Sequence, residues 1–157
     1  MVKGSFTEEK ESVLSPSRLW MAGIRDALNL LPKIMPEVIA SYQLLQGDGG
    51  VGSIRQLNFT PATFEAFTYV KDRVDIMDDE KHVFKYTVIE GGEIGSKLKS
   101  YSSEIQSGGF LSKMTVEYDT INDSLLPEEE VAKMKEGIMW MGKAMEAYLQ
   151  ANPDAYV

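Results

Sequence analysis

Four hydroxyl-bearing side chains carry most of the chemistry this sequence can offer. Tyr69, Tyr86, Tyr101 and Ser103 lie in stretches where apolar and polar residues alternate with a period of two. That period belongs to β-strands and sends alternate side chains to one face. Assigning the apolar residues inward puts Leu57, Phe59, Phe67 and Tyr69 on that face, followed by Phe84, Tyr86 and Val88. Tyr101, Ser103 and Ile105 come next, then Phe110, Ser112, Met114 and Val116. A buried hydroxyl with no partner costs about 1–3 kcal/mol. Several Tyr and Ser groups converging among aromatics therefore fit a wet or ligand-filled interior better than a solid aliphatic core. Such hydroxyls orient a bound molecule, or serve as acid or base in an enzyme.

Other chemistries find little support. The chain has no Cys and one His, His82, which excludes thiol catalysis, disulfides, Cys-bound zinc and multi-His metal sites, so no metal or cofactor is expected. Nothing places a serine beside His82 for nucleophilic catalysis. Asp78-Asp79-Glu80 reads as a solvated turn and Glu128-Glu129-Glu130 as the acidic start of a helix. Asp72-Arg73-Val74-Asp75 reads as a cross-strand ion pair in preference to a polar group at a cavity mouth. The run Gly47-Asp48-Gly49-Gly50-Val51-Gly52 lacks the lysine and following helix of a phosphate loop, and reads as a hairpin turn. With 16 Lys and Arg against 24 Asp and Glu, a net charge of −8, nucleic acid is disfavoured as a partner. No signal-peptide core and no run of roughly 18 apolar residues is present, so a cytoplasmic chain with no membrane partner is expected.

The 157 residues suit one domain, spanning 1–157, with 43% hydrophobic residues for its core. Period-two stretches predict strands near Val2–Leu14, Val38–Gln46, Ser53–Phe59, Ala66–Met77, His82–Glu90, Lys97–Gln106 and Phe110–Asp119. Ser15-Pro16 starts a short helix, and a second short helix covers Ala27 to Met35, with a break near Arg25-Asp26. After Pro127, the stripe Val131, Met134, Ile138, Met141, Met145 and Leu149 predicts a helix of about 24 residues, roughly 36 Å long. A helix of that length must cross the whole sheet and bury its stripe in the concave side. Its core positions are rich in flexible Met, which suits a surface that accepts varied shapes.

Several of these strings resemble one family over essentially the whole chain. Tyr69-Val70-Lys71-Asp72-Arg73-Val74-Asp75, Val88-Ile89-Glu90-Gly91-Gly92-Glu93-Ile94-Gly95, the loop Gly47–Gly52 and the ending Asn152-Pro153-Asp154-Ala155-Tyr156 are similar to the plant class-10 pathogenesis-related proteins, the family of the major birch pollen allergen. The resemblance implies an α+β helix-grip fold: a seven-stranded antiparallel sheet wrapped round a long C-terminal helix, with two short helices beneath. It further implies a monomeric plant defence protein that binds or stores small amphipathic aromatic ligands, such as cytokinin-like hormones, flavonoids and sterol-like compounds, in an interior hydrophobic cavity. The residues expected to line it are Leu31, Ile39, Leu57, Phe59, Phe67, Tyr69, Tyr86, Val88, Tyr101, Ser103, Met114, Ile138, Met141 and Met145, with Gly47, Gly49, Gly50 and Gly52 as the family's glycine loop. The alternatives are an isomerase or cyclase of specialised metabolism using the same cavity, or a ribonuclease. Enzymes among the relatives depend on a strand Tyr, a carboxylate two residues on and a Lys. Here Tyr101 resembles that Tyr but Ser103 stands at the acid's place. The hairpin after Gln106 is shortened to Ser107-Gly108-Gly109, and the helix carries Met141-Gly142 where larger aliphatics are common in the family.

Overall fold

A computed structural model describes residues 2–61, 68–108 and 111–157. Seven strands form one antiparallel sheet: β1 (Lys3–Glu11), β2 (Ile39–Gln46), β3 (Ile54–Phe59), β4 (Tyr69–Asp78), β5 (Val83–Gly91), β6 (Leu98–Gly108) and β7 (Leu111–Thr120). Their spatial order is β1-β7-β6-β5-β4-β3-β2, so the first strand closes on the last. Register shifts interrupt the β2–β3, β4–β5 and β6–β7 ladders. Such bulges increase twist and bend the sheet, which gives it a concave side. The first strand stops at Glu11, short of the expected Leu14, and the expected start of β4 at Ala66 lies outside the described residues.

Helices α1 (Pro16–Trp20) and α2 (Ala27–Ile34) sit between β1 and β2. Ser15 caps α1, its hydroxyl accepting from the Arg18 amide at 3.2 Å, and Pro16 begins the first turn with φ already suited to it. Between the two helices the chain widens into a π turn, Met21–Arg25, closed by the Asp26 amide donating to the Met21 carbonyl at 2.9 Å. Helix α3 covers Glu128–Ala151, 24 residues as the stripe requires, with Pro127 before it and three glutamates in its first turn. Among the described residues no helix is long and apolar enough to cross a membrane.

The C-terminal end of α3 is anchored by one side chain. Arg18 reaches from α1 and donates to the carbonyls of Leu149 at 3.0 Å, Asn152 at 2.9 Å and Ala155 at 3.0 Å. The Leu149 carbonyl is one that a helix end leaves without a partner, the other two belong to the tail that follows α3, and a cation there also complements the helix dipole. Beneath this clamp Leu149 and Met145 pack with Ala22, Leu30, Leu31, Met35 and Ile39. Further along α3, Ile138, Met134 and Val131 pack on Phe6, Leu98, Val116 and Tyr118. The backbone of α3 comes close to α2 rather than to the strands, so long side chains bridge the space between helix and sheet.

Leu149 has no exposed surface, whereas Trp140 on the outer side of α3 is half exposed. Leu149→Ala is expected to lower stability by about 3 kcal/mol through lost burial and the space left behind. Trp140→Ala should stay within about 0.5 kcal/mol of the parent. Urea unfolding followed by circular dichroism measures both.

Candidate functional site

The ladders fix which side chains share the concave face, because directly opposed residues point the same way. One row runs Val74, Tyr86, Ser103, Val116, Phe6 across β4, β5, β6, β7 and β1. A second joins Arg55, Asp72 and Val88, a third Phe84, Ile105 and Met114, and a fourth Tyr101 and Tyr118. Polar groups are thus set among aromatic and aliphatic side chains on a surface that faces α3.

The strongest feature is a buried ion pair. The Arg55 Nε donates to Asp72 Oδ1 at 2.9 Å and its Nη2 to Asp72 Oδ2 at 3.2 Å, a two-pronged contact matched to the planar guanidinium. Both residues are about 95% buried, at 5% and 4% exposure. The guanidinium carbon lies 5.0 Å from the Phe84 ring centre, 5.3 Å from that of Tyr42 and 5.9 Å from that of Tyr86. Aromatic faces stabilise a cation that has lost its water. Burial favours loss of the Arg55 proton, but Tyr42 and Asp72 outweigh it and raise its affinity for that proton. Burial likewise raises Asp72, and the Arg55 guanidinium offsets part of that rise.

Beside this pair stand four hydroxyls, those of Tyr42, Tyr86, Tyr101 and Ser103. Burial pushes the Tyr86 and Tyr101 phenols up, so both stay protonated donors through the neutral range. Tyr42 is pushed up in the same way. Ser103 is 1% exposed, and its hydroxyl meets the phenol of Tyr86, its cross-strand neighbour, which also meets that of Tyr101. The arrangement offers donors and acceptors to a molecule lying between sheet and helix.

Most of the predicted residues share this surface. Leu57, Tyr86, Val88, Tyr101, Ser103 and Met114 face it from the strands, and Phe59 sits opposite Ile39 at the end of β3. Leu31, Ile39 and Met145 are buried together with Met141 packed against them, while Ile138 packs with the Phe6 cluster. Phe67 and Phe110 lie outside the described residues. Tyr69 is a correction: it pairs with Asn58 on the convex side, and its hydroxyl donates to Glu90 Oε2 at 2.8 Å. Its aromatic character argued for the interior, but a bulge between Val74 and Ile76 switches the parity of β4. Counting back from Met77 therefore assigns Tyr69 to the wrong face, and Val70, Asp72 and Val74 point inward instead.

In the glycine loop, Gly47, Gly49 and Gly52 all have φ near +90°, and a Cβ on Gly47 would stand 2.5 Å from Ser53 Oγ. The amides of Gly49, Gly50 and Gly52 donate within the protein, to Ser53 Oγ, Asp48 Oδ1 and the Val74 carbonyl. This is the bonding of a turn, and it occupies amides that a phosphate would need. The expected ion pair at Asp72-Arg73-Val74-Asp75 divides in two: Asp72 pairs inward with Arg55, while Arg73 pairs with Asp75 at 2.8 Å on the outer side.

Sequence reasoning missed Tyr42, Arg55 and Lys10. Arg55 lies two residues before Leu57, and Asp72 two before Val74, so charges at inward parity on adjacent strands were the available signal. Lys10 belongs to the face of Phe6 and Glu8, and its Nζ contacts Glu146 Oε2 on α3 at 2.9 Å.

Comparison with known proteins agrees with this architecture. The family model described as Pathogenesis-related protein Bet v 1 family matches residues 1–152. The chain is 40% identical to the major strawberry allergen Fra a 1.07 of Fragaria ananassa, over 98% of this chain and 99% of the allergen. It is 38% identical to pathogenesis-related protein 1 of Asparagus officinalis over the full length of both. Among solved structures it is similar to Ara h 8.0201, with a TM-score of 0.83, 27% identity and coverage of 96% and 99%. The norcoclaurine synthase of Thalictrum flavum in complex with dopamine and hydroxybenzaldehyde shares the fold, with a TM-score of 0.74, 23% identity and coverage of 96% and 88%.

Two outcomes follow from the charges. Asp72→Asn or Arg55→Met alone should each cost about 3–5 kcal/mol, since each strands a buried partner, while Arg55→Met with Asp72→Leu should recover most of that loss in urea unfolding. Burial raises Glu146, but the Lys10 ammonium and the Ser12 hydroxyl outweigh it and hold the carboxyl below its ordinary value of about 4.5. The stability it contributes is present above that pH and lost as pH falls through the folded-state value. Glu146→Gln should therefore lower the urea midpoint at pH 7, and the gap from the parent should narrow as the pH falls below about 4.5.

Proposed function

We propose, from the premise that the chain belongs to the Pathogenesis-related protein Bet v 1 family, that it holds a small amphipathic aromatic molecule of plant origin between its concave sheet and α3. Cytokinin-like hormones, flavonoids and sterol-like compounds are the class envisaged, bound reversibly by a cytoplasmic monomer. The observation that carries the reading is a buried cluster of hydroxyls, Ser103 with the protonated phenols of Tyr86 and Tyr101, set among aromatic and aliphatic side chains on the concave face. Hydroxyls that bond mainly to one another keep donor and acceptor capacity to spare, and leaving it unmet in a buried site is costly unless some polar atom arrives to meet it. A ligand hydroxyl or carbonyl does so, while its apolar body lies against Leu57, Val88, Met114 and Met141.

Binding without turnover is favoured by Asp72. Its carboxylate faces inward, but both oxygens are held by Arg55, so it is poorly placed to take a proton from a substrate. The flexible methionines of α3 accommodate different shapes, which suits a carrier of moderate selectivity.

Calorimetry with trans-zeatin, a flavonol and deoxycholate tests the reading. At least one should bind saturably with a Kd on the order of micromolar, corresponding to about −8 kcal/mol. Tyr86→Phe and Ser103→Val should weaken that ligand roughly 5- to 30-fold, the effect of one lost buried hydrogen bond. Absence of saturable binding to all three at ~100 μM, with the protein folded, would overturn the proposal.

A further inference from the structure

A cavity of about 160 Å³ opens where the end of β1 and the strand residues Ile105, Ser107 and Ser112 of β6 and β7 meet α1, the π turn and α3. Its polar side is formed by Lys10 and Glu146, paired at 2.9 Å, with the Lys10 Nζ buried at the cavity wall. Facing them are apolar walls from Trp20, Ile24, Ile105 and Met145. The hydroxyls of Ser12, Ser107 and Ser112 also border the space.

Two local features cost stability and are consistent with a cavity that is kept open. Gly142 lies within α3, where glycine is less favourable than alanine by about 1 kcal/mol. A Cβ on Gly142 would stand 3.2 Å from Lys10 Nζ, so the absent side chain leaves the ammonium its room. The π turn Met21–Arg25 carries Ile24 into the wall, and π turns inside helices concentrate at functional sites.

We propose that this cavity is a binding site for one neutral phenolic ring, either a free small phenol or the phenolic end of a larger molecule. The volume matches a single ring, since an apolar cavity of about 150 Å³ takes up benzene. The polar side selects the substituent. An ammonium beside a carboxylate presents a donor and an acceptor to the same point, and a hydroxyl accepts from the first while donating to the second. A carboxylate on the ring would meet Glu146, an ammonium would meet Lys10, and a ring without a polar group would leave Lys10 as it is. The site shares Ile105 and Met145 with the surface described above but none of its polar groups, so the two proposals fail separately.

Trp20, 2% exposed and lining the cavity, supplies the readout once the other tryptophan is removed by Trp140→Phe. Fluorescence titration of that full-length protein uses 4-methylphenol, toluene and 4-methylbenzoate. Saturable binding of 4-methylphenol at least tenfold tighter than either of the others is the expected result. In Lys10→Met/Glu146→Leu, which leaves no buried charge behind, the preference for 4-methylphenol over toluene should fall to about onefold. Equal affinity for 4-methylphenol and toluene in the parent overturns the proposal, as does a tenfold preference that survives the double substitution. The ligand comparison on the parent decides the matter by itself if the double variant does not fold.

Discussion

A charged pair sealed under aromatic rings sets the terms for this molecule. Arg55 and Asp72 occupy adjacent strands at the same level of the sheet, and neither reaches water. Two such ions are stable inside a protein only with close geometry and with every remaining polar contact arranged around them. The two-pronged contact and the rings of Tyr42, Phe84 and Tyr86 meet that requirement. In doing so they commit the centre of the concave face to polarity. An aliphatic core cannot form there, and α3 crosses a surface that retains hydroxyls and charges.

The helix can cross such a surface because its hold is concentrated at its C-terminal end. Arg18 gathers three carbonyls from the last turn and the tail, and Leu149 and Met145 pack beneath. Toward the N-terminus Val131, Met134 and Ile138 are partly buried against Phe6, Leu98, Val116 and Tyr118. Flexible methionines along that stretch suit the binding role proposed for the face. The inward pair Lys10–Glu146 belongs to the same logic, with Gly142 making space opposite a cation instead of filling it.

Much of this was legible from residue types and spacing. The seven strands, the break near Asp26 and the 24-residue helix follow from period, proline and glycine placement, because these act within a few residues of themselves. The inward placement of Tyr86, Tyr101 and Ser103 was legible for the same reason, since the β5–β6 ladder runs without a register shift from Val83 to Thr87, where it pairs Tyr86 with Ser103. Tyr69 was misassigned because one bulge reverses the parity of β4, and a bulge leaves no local sequence mark here. Arg55 and Lys10 were passed over because a charged side chain reads as solvent-facing until its partner on another element is known.

By itself the sequence determined the element order, the acidic surface, the absence of thiol chemistry and the amphipathic stripe of α3, all properties of composition or of neighbours along the chain. The tertiary structure alone decided which charges meet. Asp72 could pair with Arg73 or with Arg55, and only the β3–β4 register selects Arg55. Lys10 finds Glu146 because β1 closes against β7 and faces a helix more than 130 residues later in the chain. Contacts of that separation depend on strand register and on the angle of a helix across a curved sheet, and neither is encoded in any short stretch of residues.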